Sequence, residues 1–262
     1  MKRISLIALL SLSCAIVIGI THLPTQITQK ALSANAAESY IAQTAPQTTP
    51  TQQSFIAANN LKITIKEVAP YNQDTDLQTL CFFKHKSTGD TVLSAVADLD
   101  KKLGGIISTL RNSGQFVGEE RETLVFTPPQ NIIKPRTMML MGLGDEKNLS
   151  IDTMSRIGTA ALREAVKLKA TRVSYASALR DQGNATLDTG DVAATVVHNV
   201  ILAYDTEKRL QAQALAQPFT VTEWVMEAGA DYYASTVTKV QQEVARANAE
   251  VAARPKIAFV KK

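Results

Sequence analysis

Histidine and cysteine, the residues that most often do chemistry, are scarce in this sequence: three histidines and two cysteines in 262 residues. Two of these five, Cys14 and His22, fall in an N-terminal segment that is expected to be removed. His85 and His198 each lack a second histidine three or four residues away, which excludes the paired helical ligands of a common zinc site. His85, in Lys84-His85-Lys86, is expected to be solvated. His198 is expected to satisfy a local hydrogen bond. Cys81 stands alone within Leu80-Cys81-Phe82-Phe83, so no disulfide framework is possible. A lone cysteine in an apolar strand reads as a small buried hydrophobe rather than a nucleophile. Aromatic residues make up 5%, with a single tryptophan, Trp224.

A charge excess is missing too. The formal net charge is +4, but residues 1–36 carry Lys2, Arg3 and Lys30 and no acid. Without them 25 basic side chains face 24 acidic ones. A charge near +1 with no long basic run is no footprint for nucleic acid, so no nucleic-acid partner is expected.

Lys2-Arg3 precedes Ile4–Ile20, a nearly unbroken apolar run of 17 residues, and a polar stretch then ends in Ala34-Asn35-Ala36. Basic start, apolar middle and small-residue end make the pattern of a secretory signal, so residues 1–36 are read as a signal peptide and the protein as exported, periplasmic or secreted. The alternative is an uncleaved N-terminal anchor, the one route to a membrane association. Residues 37–58 are rich in Gln, Thr, Pro and Ala without apolar periodicity, and are read as a disordered linker. The folded domain is expected over 59–262.

Hydrophobic residues make up 45% of the chain, enough for a core. Leu61–Val68 alternates with period two, as a half-buried strand does. Asp76–Phe83 is a more apolar strand. Thr91–Leu110 follows helical spacing and ends at Asn112-Ser113-Gly114. Strands follow at 123–127 and 137–141, then a helix at 151–168 capped by Ser150. A strand is expected at 170–176, a helix at 188–216, a strand at 219–225 and a long helix at 231–253. On that helix Val237, Val240, Val244, Ala247 and Val251 form an apolar stripe that either folds back on the sheet or offers a partner surface. Alternating strands and helices predict an α/β class, a mixed sheet flanked by helices on both faces.

Several motifs resemble one known family. Ala97-Asp98-Leu99-Asp100 with Leu103-Gly104-Gly105-Ile106-Ile107 is similar to a conserved helix of the M17 leucyl aminopeptidases. Ser113-Gly114-Gln115-Phe116-Val117-Gly118, followed by Glu122-Thr123-Leu124, is similar to the next segment, and Met139-Leu140-Met141-Gly142-Leu143-Gly144 to a strand end. Leu162-Arg163-Glu164-Ala165 and Asn199–Tyr204 are weaker matches. The resemblance covers most of residues 61–205. It implies the N-terminal domain of that family and a macro-domain-like sandwich. Two positions depart from the pattern: Glu119 stands where the family has Lys, and Arg121 where it has Gly.

In the family a following domain holds two metals on Lys, Asp and Glu ligands, with a characteristic Asn-Thr-Asp-Ala-Glu-Gly-Arg segment. These 262 residues contain no such segment. The expectation is therefore no catalytic residue, no metal ligand and no cofactor. A two-metal hydrolase needs several carboxylates converging on its ions, and Asp98, Asp100 and Glu164 read as helix-surface charges instead. The one ligand-loop candidate is Gly142, Leu143, Gly144 and Asp145, where glycine could let backbone amides approach a phosphate near the helix start at Ser150. The resemblance implies partners of two kinds, further copies of the chain or a full-length aminopeptidase, and the alternative function is a macro-type domain binding a nucleotide or ADP-ribose-like ligand.

Overall fold

The computed structural model describes residues 51–256. The expected leader, Cys14, His22 and most of the expected linker lie outside them. Seven strands form one sheet in the order β1-β2-β7-β6-β3-β5-β4. They are β1 (Gln52–Ile56), β2 (Lys62–Lys66), β3 (Leu77–Phe83), β4 (Thr123–Phe126), β5 (Thr137–Gly144), β6 (Arg172–Ala176) and β7 (Glu223–Glu227). The five inner strands run parallel, and β1 and β4 close the edges antiparallel.

Helices α3 (Ile151–Lys167), α4 (Thr189–Ala212) and α5 (Ala230–Ala253) cover one face, and the shorter α1 (Ser94–Lys102) and α2 (Ile106–Asn112) the other. The class is the expected one, α/β with a mixed sheet. β3 is buried along its whole length, as a central parallel strand covered on both sides must be. Its period-two code still sorts the core. Leu77, Cys81 and Phe83 face the larger helix layer, while Leu80 and Phe82 face α1 and α2. In β2, Ile63 and Ile65 join the larger core while Lys62 and Lys66 point away.

Three expectations need correction. The stretch read as a linker to residue 58 holds β1, which pairs with β2 from Gln52↔Lys66 to Ile56↔Lys62. Its polar side chains suit an edge strand, and half-buried Phe55 ties it to the core. The single helix read over 91–110 is two. Gly104 and Gly105 sit at φ 70° and 81°, left-handed backbone that glycine adopts freely and that breaks a right-handed helix. Asp100 then caps α2, accepting from the Ile107 N–H at 2.8 Å and from the Ser108 hydroxyl. The last strand lies two to four residues later than read. The α5 stripe resolves to folding back: Val240, Val244 and Ala247 are buried in the domain core. The Asn248 side chain also accepts from the Ala58 N–H at 2.7 Å, fastening α5 to the β1–β2 turn.

Candidate functional site

In an open parallel sheet, ligands bind beyond the carboxyl ends of the strands where the connections change direction. Here that point lies on both sides of β3, towards β6 and towards β5, whose connection enters α3 on the larger layer. The chain leaves β3 for α1 on one face and leaves β6 for α4 on the other. The crevice between them is filled by the protein itself. Gln182 accepts from the Phe83 N–H at 2.8 Å and donates to the carbonyls of Cys81 at 3.1 Å and Ala178 at 3.0 Å. Its side chain thus replaces a strand at the end of β3. Above it, Glu146 accepts from Lys86 at 2.5 Å and from Asn184 at 2.9 Å, joining the loops that follow β3, β5 and β6.

The expected ligand loop is part of the same closure. Gly142 and Gly144 lie at the end of β5, and both amides are already committed. Gly142 N–H donates to the Glu122 carbonyl at 2.8 Å and Gly144 N–H to the Gly118 carbonyl at 2.9 Å. The glycines are needed for the close approach of that segment: a Cβ on Gly142 would stand 1.9 Å from the Glu119 carbonyl oxygen. Leu143 is buried, and Asp145 caps a short 3-10 turn while pairing with Lys147 at 3.1 Å. These contacts take up the glycine amides that were expected to meet a phosphate.

The two departures from the family pattern lie on that segment. Glu119 pairs with Lys84 at 2.5 Å. Arg121 sits at φ 68°, the left-handed region in which glycine is the unstrained residue, which explains the family's preference there.

His85 is half-buried rather than solvated. Its Nδ1 lies 3.0 Å from Asp90. Asp90 also takes the buried Arg111 guanidinium and the Lys86 N–H at 3.1 Å. Burial raises the Asp90 pKa, but the hydrogen bonds from Arg111 and His85 outweigh it and hold the carboxyl at about 2. Arg111 also donates to the Phe83 carbonyl at 2.9 Å and lies over Phe82 and Phe116, so this chain of charges locks the end of β3. His198 finds its partners on the neighbouring helix: Glu243 at 2.6 Å and Glu250 at 3.3 Å, on opposite ring nitrogens. Two carboxylates on opposite sides of one ring join α4 to α5 and cannot share an ion with it. Among the described residues no three His, Cys, Asp or Glu side chains gather in a way that could hold a metal ion. Asp98 is exposed, and Glu164 pairs with Lys167 at 2.6 Å.

Cys81 is buried, with its thiol donating to Tyr175 at 3.1 Å. Burial pushes its pKa up to about 12, which removes the thiolate a nucleophile needs. Tyr175 in turn stacks on Trp224, 5.9 Å between ring centres.

Sequence reasoning missed Glu227, the last residue of β7. Its Oε1 accepts from the Ser174 hydroxyl at 2.6 Å, and Gln78 lies within hydrogen-bonding reach. Glu227 Oε2 and Gln78 Oε1 are both buried without a partner. Burial raises the Glu227 pKa to about 8 against the lowering effect of Ser174 and Gln78, and nearby Asp181 adds to the rise. The sequence signal was faint: one acid ending the run Trp224-Val225-Met226.

The sheet order and the two helix layers define an α/β sandwich of the macrodomain type. The Oceanobacillus iheyensis macrodomain solved with ADP superposes with a TM-score of 0.54 at 11% identity, over 76% of this chain and 99% of that one. A tomato leucine aminopeptidase variant gives 0.53 at 17% identity, over 80% of this chain and 39% of that one. Within this fold class, residues 81–213 match the family model for the N-terminal domain of the cytosol aminopeptidase family, and the chain belongs to that family. A probable cytosol aminopeptidase of Alkaliphilus oremlandii (strain OhILAs) is 37% identical over 98 residues, 37% of this chain and 19% of that protein. One from Thermosynechococcus vestitus is 24% identical over 168 residues, 64% and 32%. The chain thus spans between a fifth and a third of the length of these curated relatives.

Proposed function

We propose that this protein is an exported, non-catalytic association module of the cytosol aminopeptidase family, joining further copies of itself or a full-length aminopeptidase. The single observation that carries the reading is the self-filled crevice. Gln182, Glu146 and Asn184 occupy the place where an α/β sheet of this kind presents a ligand, and the glycine amides beside it serve the segment 118–122. A domain whose ligand end is closed by its own side chains is suited to binding through its surface. The family match, which falls on the N-terminal domain, supports the same reading. Export rests on the sequence of residues 1–36. Among the described residues no helix is long and apolar enough to cross a membrane.

The test is hydrolysis of leucine-p-nitroanilide by the purified protein with added manganese, alongside cell fractionation. No turnover and recovery outside the cytoplasm are expected. Turnover that copurifies with the chain would overturn the non-catalytic reading, and retention in the cytoplasm would overturn export. The ADP held by the Oceanobacillus macrodomain suggests the rival reading of a nucleotide binder. Calorimetry with ADP-ribose separates the two, and no heat is expected while Gln182 fills the crevice.

A further inference from the structure

At the amino-terminal ends of the parallel strands, opposite the closed crevice, lies an open cleft of about 660 Å³. It is bounded by the 3-10 turn Pro70–Asn72, the last turn of α1 and the connection from β4 to β5. Its volume is in the range of small-ligand sites. One part of the lining is apolar: Tyr71, Ile133 and Ile132, the last 46% exposed. The other part is cationic. Lys102 and Lys134 both line the cleft, and among the described residues neither ammonium has a carboxylate within 4.0 Å. Lys102 lies over the Tyr71 ring, 4.9 Å from its centre. The one acid in the lining, Asp74, is already paired with Arg172 at 3.3 Å.

Two other basic side chains at this end of the sheet are neutralised: Arg136 by Asp76 and Arg172 by Asp74. Two ammonium groups without a carboxylate partner, beside an exposed apolar wall, are the complement of an amphiphilic anion. The side-chain amides of Asn72 and Asn131 add donors and acceptors for a neutral amide between its two ends.

We propose that this cleft binds the free carboxylate end of a short peptide, or of an N-acylated amino acid, whose last side chain is apolar. Lys102 and Lys134 take the carboxylate. Tyr71, Ile132 and Ile133 cover the side chain, and Asn72 and Asn131 meet the peptide amide. A bare phosphate would leave the apolar wall wet. The inference stands apart from the association reading, which does not call on this cleft.

The experiment is a titration of the purified protein followed by amide nitrogen–proton spectra, with three probes: N-acetylphenylalanine, N-acetylphenylalaninamide and inorganic phosphate. The acid is expected to give saturable shifts at residues 71–74, 102 and 131–134, and the amide to bind about tenfold more weakly. Phosphate is expected to give no localised shift. Lys102→Gln and Lys134→Gln should each weaken the acid by about threefold, as exposed charge pairs do. Lys101→Gln, one residue along but outside the lining, should change nothing. All three replace exposed side chains, and unchanged melting curves would establish that they fold. No saturation by roughly 10 mM acid, equal binding of acid and amide, localised binding of phosphate, or indifference to both lysine substitutions would each overturn the proposal.

Discussion

Replacing Glu227 by Gln removes an ionisation that the fold opposes while keeping the shape and the hydrogen bonds. The carbonyl oxygen of the new side chain can still accept from Ser174, and its amide is uncharged, as the protonated acid is. The native carboxyl has a pKa of about 8 against an ordinary value of 4.5. The folded state therefore holds a proton that the unfolded chain releases. The sign follows: this contribution to stability is fully present below pH 4.5 and is lost as pH rises through 8. At 1.36 kcal/mol per unit the full loss has an upper bound of roughly 5 kcal/mol. Relaxation and water entry reduce it to about 2–3 kcal/mol. For a domain of this size 1 kcal/mol moves Tm by about 2–4 °C. Thermal melts followed by circular dichroism should show wild type and Glu227→Gln nearly equal at pH 4.5, with the variant about 4–12 °C more stable at pH 8.5. A gap that is the same at both pH values, or a variant less stable at pH 8.5, refutes the reasoning that Glu227 is held protonated.

Arg121→Gly relieves a left-handed backbone at φ 68° and should raise stability by about 0.5–1 kcal/mol, read by urea midpoint; a loss would mean the Arg121 side chain matters more than the strain. Gly142→Ala places a methyl 1.9 Å from the Glu119 carbonyl oxygen and should cost about 3 kcal/mol or prevent soluble expression; a near-neutral effect contradicts the tight packing of segment 118–122 on β5. Cys81 should resist iodoacetamide at pH 8 in the native protein and label in urea, read by the mass of its own peptide; rapid native labelling contradicts its burial.

Much of the framework was legible because short-range codes governed it. Leu61, Ile63 and Ile65 alternate with Lys62, Thr64 and Lys66, and β2 follows. Ser150 precedes a helical pattern, and its hydroxyl accepts the Thr153 N–H at 3.1 Å. β1 was hidden because an edge strand needs one buried neighbour rather than an apolar sequence. The signal that could have found it is Asn59-Asn60, both at φ 59°, the left-handed turn that reverses the chain into β2. Gly104-Gly105 was visible but its effect on the helix depended on both residues turning left-handed. The crevice was illegible for a different reason. Gln182 meets Phe83 from 99 positions away, and Asn184 meets Glu146 from 38, distances over which no periodicity carries information. The same holds for Ser174 and Glu227, brought together only by the neighbouring register of β6 and β7.

Association is the account's central claim, and light scattering coupled to size exclusion tests it most directly, with the protein alone and mixed with a cytosol aminopeptidase carrying both domains. The account predicts a mass of at least two chains, or a shared peak with the enzyme. A single-chain mass in both runs, with the enzyme's own peak unchanged, would contradict it.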